Sequence, residues 1–269
     1  MAISSEPRRR PGASEGEEDL PRMSLLEHLE ELRRRILYAL LALVVAVAAC
    51  FNWAPELLRF LARPVYRFLP PGSKLAVLGV TDPFILYFKS SLLAGVFVAF
   101  PFLLWQLWRF VAPGLYKKER RWIGPFVVIG WLFFIGGGAF AYYVAFPFTV
   151  EFLLGLAGDF EPVITADRYY GFLLTIVLGL GLMFELPIVL TLAGRIGLVT
   201  PRFLLRHFRW AVLLIVVAAA LLTPTADIVN LALFAVPTIG LYLLGVLGVA
   251  LVRPRRRGEQ PEAEAAETS

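Results

Sequence analysis

The 269-residue chain is 58% hydrophobic and only 17% charged, with a formal net charge of +5 and a mean hydropathy of +0.71. Soluble domains carry roughly 25% charged residues, so the composition argues for lipid as the solvent and for one integrated membrane domain. A single cysteine, Cys50, excludes an intramolecular disulfide and a CxxC motif, and the two histidines, His28 and His207, lie far apart, so neither metal nor cofactor is expected.

Residues 1–23 read as a disordered polar tail, with Arg8, Arg9 and Arg10 followed by an acidic stretch from Glu15 to Asp19. Ser24 and Glu27 form a capping-box pattern, and Leu25, Leu29, Leu32 and Ile36 recur at helical spacing, which predicts a short amphipathic helix leading into the membrane. Six apolar spans are expected at 36–53, 84–108, 123–148, 169–193, 208–223 and 228–251, within a membrane domain of 24–252 and ahead of a second disordered tail, 253–269. Val47, Ala48 and Ala49 before Cys50 resemble a lipoprotein signal, but the lead is long for a cleaved signal and the rest of the chain would still span the membrane.

An even number of spans places both ends on one side. That side receives 20 of the Lys and Arg residues and the other side 5, with Lys89 inside the second span, so both termini are expected in the cytoplasm of a multi-pass inner-membrane protein. The fifth span has a short uncharged core, Trp210 to Thr223, and implies local bilayer thinning. Pro101, Pro187 and Pro237 fall inside spans, and Gly136, Gly137 and Gly138 permit close helix approach, so the bundle is expected to be curved.

Among polar residues, Glu185 stands out because a carboxylate inside a span requires a partner or a function; the plainer reading is an acid hydrogen-bonded to a neighbouring helix or to a carbonyl freed by Pro187. Glu31 and Glu30 lie four residues before Arg35 and Arg34, a spacing that by itself reads as surface helix pairs. Glu119 is a lone acid among Lys117, Lys118, Arg120 and Arg121, while Gln106 and Phe110 share one face at the end of the second span. Asp227 reads as the N-cap of the last span. There is no GxxxxGK[ST], HExxH or GxSxG motif, so the chain is not expected to be an enzyme.

Four segments together are specific: Glu27-His-Leu-Glu-Glu-Leu-Arg33, Trp105-Gln-Leu-Trp-Arg-Phe-Val-Ala-Pro-Gly-Leu-Tyr-Lys-Lys-Glu-Arg-Arg121, Phe184-Glu-Leu-Pro187 and Leu222-Thr-Pro-Thr-Ala-Asp227. They resemble the TatC family, the multispanning receptor subunits of the twin-arginine (Sec-independent) protein translocase, over about residues 24–252. The resemblance implies an all-α membrane protein with six transmembrane helices in a curved, cup-shaped bundle. It implies a receptor that binds the twin-arginine signal peptides of folded cargo and assembles with single-span TatA- and TatB-type subunits, in a self-associating complex driven by the proton motive force. Glu31 and Glu119 would receive the paired arginines, with Phe110, Gln106 and Arg33 beside them; Glu185, Thr223 and Asp227 would serve as intramembrane and partner-docking positions. Leu231, where many relatives have glutamine, and Ala220, where some have methionine, depart from the family pattern, and the turn reads TPTAD rather than TPPD. Two competitors remain: a proton- or cation-coupled secondary transporter using Glu185, and an intramembrane enzyme, for which Glu185 lacks a second deep group.

Overall fold

The computed structural model describes residues 25–69, 74–111, 123–156, 158, 163–223 and 227–252. Both tails, Ser24 of the expected capping box and Glu119 lie outside the described residues. Within them the chain is helical, with one isolated parallel bridge between Ala76 and Thr165.

The expected amphipathic helix and first span are one continuous helix, α1 (Leu25–Phe51). Nothing in its sequence breaks the backbone hydrogen bonding at the water–lipid boundary, and its 27 residues extend about 40 Å at roughly 1.5 Å per residue. That exceeds the roughly 30 Å of hydrocarbon, so its first turns stand outside the bilayer. A helix absent from the sequence reading follows, α2 (Ala54–Ala62), with Pro55 in its first turn, where a missing N–H costs nothing. The second span is α3 (Asp82–Val111), which continues through Pro101. Proline removes the donor that would serve the carbonyl of Phe97, and Trp131 Nε1 donates to that oxygen instead, at 3.2 Å.

The third span is longer than expected, comprising α4 (Ile123–Phe140), a π-helical turn Ala141–Ala145 and α5 (Phe146–Gly155). Phe146 N–H donates to the Ala141 carbonyl five residues back, and Pro147 follows, so the wider turn sits where the ordinary hydrogen-bond register is about to lose a donor. The fourth span divides at Glu185 into α6 (Ala166–Phe184) and α7 (Leu186–Arg195), with Pro187 in the first turn of α7. Gly197, at φ +80°, ends α7, and Leu198 N–H returns to the Ala193 carbonyl at 2.9 Å. After α8 (Pro201–Arg206), α9 (Phe208–Leu222) supplies the shorter fifth crossing and α10 (Ile228–Val252) the last.

Five stretches are long and apolar enough to cross a membrane, and α9 is apolar but shorter: its 15 residues extend about 22 Å. The core centres on Phe134, Phe146, Leu173, Ile176, Leu180 and Phe234, while large apolar side chains such as Leu41, Val45, Leu132, Leu214 and Leu247 face outward. An apolar exterior around an apolar core is the arrangement of a bundle solvated by lipid. Three tyrosines fasten α2 to this bundle: Tyr142, Tyr169 and Tyr170 donate to the carbonyls of Phe60, Leu61 and Leu58 at 2.5, 2.9 and 2.8 Å.

Candidate functional site

An even number of crossings returns α10 to the side from which α1 starts, and the main polar cluster lies on that side, between α1 and α3. The two helices approach closely because Gly95 has no side chain; a Cβ there would lie 2.9 Å from the backbone N and Cα of Val47. Helical spacing then sets Glu31 beneath Arg35, whose Nη2 donates to Glu31 Oε1 at 2.9 Å, and Arg35 Nη1 reaches across to Gln106 Oε1 at 3.3 Å. Against the surface pairing expected from sequence, these side chains are only 10% and 12% exposed, because α3 covers them. Glu30 and Arg34, on the open face, form no ion pair among the described residues.

The pairing is incomplete. Glu31 Oε2 and Arg35 Nε are buried without a hydrogen-bond partner among the described residues. Leaving such atoms unmatched costs about 1–3 kcal/mol each. One turn toward the chain start, His28 stacks on Phe110 with ring centroids 4.4 Å apart and planes 18° apart, closing the apolar side of the cluster. Arg33 is exposed and lines a recess of about 500 Å³ together with Glu30, Glu31 and Arg34. Glu31, Gln106, Phe110 and Arg33 are thus gathered at one end of α1 and α3. Arg35 and His28 also belong to the cluster. The i to i+4 spacing signalled Arg35, whereas nothing in the sequence signalled the ring stack.

Glu185 lies at the break between α6 and α7, about 15 Å from the end of α7 by helical rise. It is buried, and neither carboxylate oxygen has a hydrogen-bond partner among the described residues, so the hydrogen-bonded acid of the plainer reading is not found. Room for the carboxylate comes from Gly130 of α4, where a Cβ would stand 3.0 Å from Glu185 Oε2 and 2.8 Å from Leu104 Cδ1. Gly130 carries no sequence signal beyond its type.

The remaining candidates lie at the opposite face. Thr223 is buried and its hydroxyl donates to the Ala219 carbonyl at 3.0 Å. Asp227 caps α10: Oδ1 accepts the Asn230 backbone N–H at 2.7 Å, and Oδ2 accepts the Asn230 side-chain amide at 2.9 Å. Leu231 packs against the core and Ala220 is exposed. These residues are therefore not one site with Glu31; the candidates occupy three depths.

Five apolar stretches long enough to cross a membrane and the shorter α9, with a recessed, part-satisfied charge cluster at one end and an acid at mid-depth without a partner among the described residues, define a polytopic membrane protein. Comparison with known families narrows this. The family model for "Sec-independent protein translocase protein (TatC)" matches residues 27–237, and the chain belongs to that family. It is 42% identical to the Sec-independent protein translocase protein TatC of Koribacter versatilis, over 93% of this chain and 94% of that protein. It is 38% identical to the protein of that name from Campylobacter jejuni, over 88% and 98%. Among solved structures, a crystal structure of the twin-arginine translocase receptor TatC superposes with a TM-score of 0.74 at 32% identity, covering 84% of this chain and 99% of that one. The six-helix fold expected from the sequence is the fold found, and the chain is a component of a Sec-independent protein translocase.

Proposed function

We propose that this protein is the receptor core of the translocase and that the α1–α3 cluster binds the paired arginines of a twin-arginine signal peptide. The observation that carries the reading is Glu31 Oε2, a buried acceptor without a partner among the described residues, beside an open recess. A guanidinium presents a planar fork of donors, matches a carboxylate, and gains strength where water is partly excluded. Glu31 accepts one arginine, and Glu119, which the family motif supplies, accepts the other; Phe110 on His28 screens the pair, Gln106 holds Arg35 in place, and Arg33 borders the recess. The recess faces the cytoplasm, with both termini on that side, a placement that the distribution of basic residues supports. Glu185, Thr223 and Asp227 serve as docking positions for single-span TatA- and TatB-type subunits, and export of folded cargo across the cytoplasmic membrane draws on the proton motive force.

The test is the affinity of twin-arginine and twin-lysine peptides for the protein in nanodiscs. Glu31→Ala and Glu119→Ala are each expected to weaken the arginine peptide about ten- to hundredfold, the equivalent of one charge-assisted bond, with little effect on the lysine peptide. Equal loss for both peptides, or loss for neither, removes these carboxylates from the site.

A second reading, an ion-coupled transporter, draws on the bare Glu185 carboxylate at a helix break. Glu185→Gln keeps a hydrogen-bonding group, so on the receptor reading it impairs export less than Glu185→Ala. Equal damage at matched abundance favours the transporter.

A further inference from the structure

Lys89 is a charge inside the second span that the receptor reading does not use. At the face opposite the chain ends it lines a cavity of about 360 Å³ between α3, α6 and the end of α9, with Asp167, Arg168, Phe172, Leu221 and Leu222. Its Nζ donates to Asp167 Oδ1 at 2.6 Å and to the Asp167 carbonyl at 3.4 Å. An ammonium has three donors, so one remains. Gly171 leaves it space, since even a Cβ there would stand 3.5 Å from Nζ. The pair is open, with side chains 27% and 48% exposed. Next to it Arg168 is exposed and makes no ion pair among the described residues. Two cations against one carboxylate leave the cavity with a net positive charge, and Phe172, Leu221 and Leu222 give it one apolar wall.

Its depth is set by α9. A crossing of about 22 Å against about 30 Å of hydrocarbon draws the lipid headgroups inward beside it. The cavity, lined by the last two residues of α9, then lies at headgroup level. We propose that this cavity binds the phosphodiester headgroup of an anionic membrane phospholipid, between Lys89 Nζ and the Arg168 guanidinium, with the glycerol and first acyl carbons against Phe172, Leu221 and Leu222. Asp167 orients Lys89 and moderates the charge. A free phosphate ion offers the same acceptor oxygens but nothing for the apolar wall. The site is independent of signal-peptide binding.

The experiment is native mass spectrometry of the purified full chain titrated with phosphatidylglycerol, phosphatidylcholine as the zwitterionic control, and inorganic phosphate as competitor. Phosphatidylglycerol is expected to bind more tightly than phosphatidylcholine and to resist displacement by phosphate. Arg168→Gln, at an exposed position, is expected to weaken it about fivefold, the equivalent of the roughly 1 kcal/mol that one basic residue contributes near a lipid surface. Asp167→Asn, which removes the competing carboxylate, is expected to strengthen it. A general loss of fold would weaken binding in both variants, so opposite signs support the site. Unchanged binding in Arg168→Gln, weakening in both variants, or displacement by phosphate overturns the proposal.

Discussion

The two faces of the bundle use polar groups differently. On the face of the chain ends, Arg35 joins α1 to α3 but leaves a carboxylate oxygen of Glu31 and its own Nε unmatched among the described residues, under cover of the helices. On the opposite face, three tyrosine hydroxyls meet three α2 carbonyls, Asp227 caps α10, and the Ala76–Thr165 bridge joins two connections. Satisfied groups hold a structure in place, whereas an unsatisfied buried acceptor retains free energy for a ligand to recover. On the proposed reading, ligand recognition falls to the first face and bracing mainly to the other, where the Lys89 cavity and the Thr149 hydroxyl, buried without a partner among the described residues, are the exceptions.

The largest expected effect therefore falls on the first face. Glu31→Lys sets a second cation against Arg35 and the incoming arginine, so it should weaken a twin-arginine peptide more than Glu31→Ala does, by over about a hundredfold. Fluorescence anisotropy in nanodiscs measures this. A reversal no worse than alanine would mean that Glu31 acts only through packing.

Mid-membrane, Gly130→Val forces a branched side chain against Leu104 and Glu185 and should cost about 1–3 kcal/mol, read as a lower unfolding midpoint in detergent. If stability is unchanged, the packing of α4 against Leu104 of α3 and Glu185 is loose enough to yield. Tyr169→Phe is expected to cost about 1–3 kcal/mol by leaving the buried Leu61 carbonyl unpaired. Hydrogen exchange should quicken in α2, and peptide affinity should be unaltered. A loss of peptide binding in this variant would break the division between the two faces.

How far the sequence disclosed this arrangement depended on the range of the interaction. Apolar runs located the spans because lipid imposes their length, and the i to i+4 spacing gave the Glu31–Arg35 contact because a helix fixes it locally. Their burial was not legible, since it depends on Gln106, 71 positions away, and on Gly95 admitting α1. Nor was α2, whose nine residues carry Pro55, Glu56 and Arg59 and whose tethers come from the π-helical turn and α6. Glu119 is a different case: only the motif around it marked it.

The smallest effect tests what makes a proline tolerable in mid-span. Pro101 cannot donate to the Phe97 carbonyl, and Trp131 Nε1 does so from α4. Trp131→Phe removes that donor, at about 0.6 kcal/mol, the average for an interhelical hydrogen bond in a membrane. In a Pro101→Ala background the backbone N–H returns to the same oxygen, and the indole is then redundant. The hydrogen-bond part of the Trp131→Phe cost should vanish there, leaving only the change in ring packing. A double-mutant cycle on reversible unfolding isolates the difference. Additive costs would show that the carbonyl at Phe97 draws no benefit from Trp131, and that a freed backbone acceptor in this bundle is tolerated without a partner.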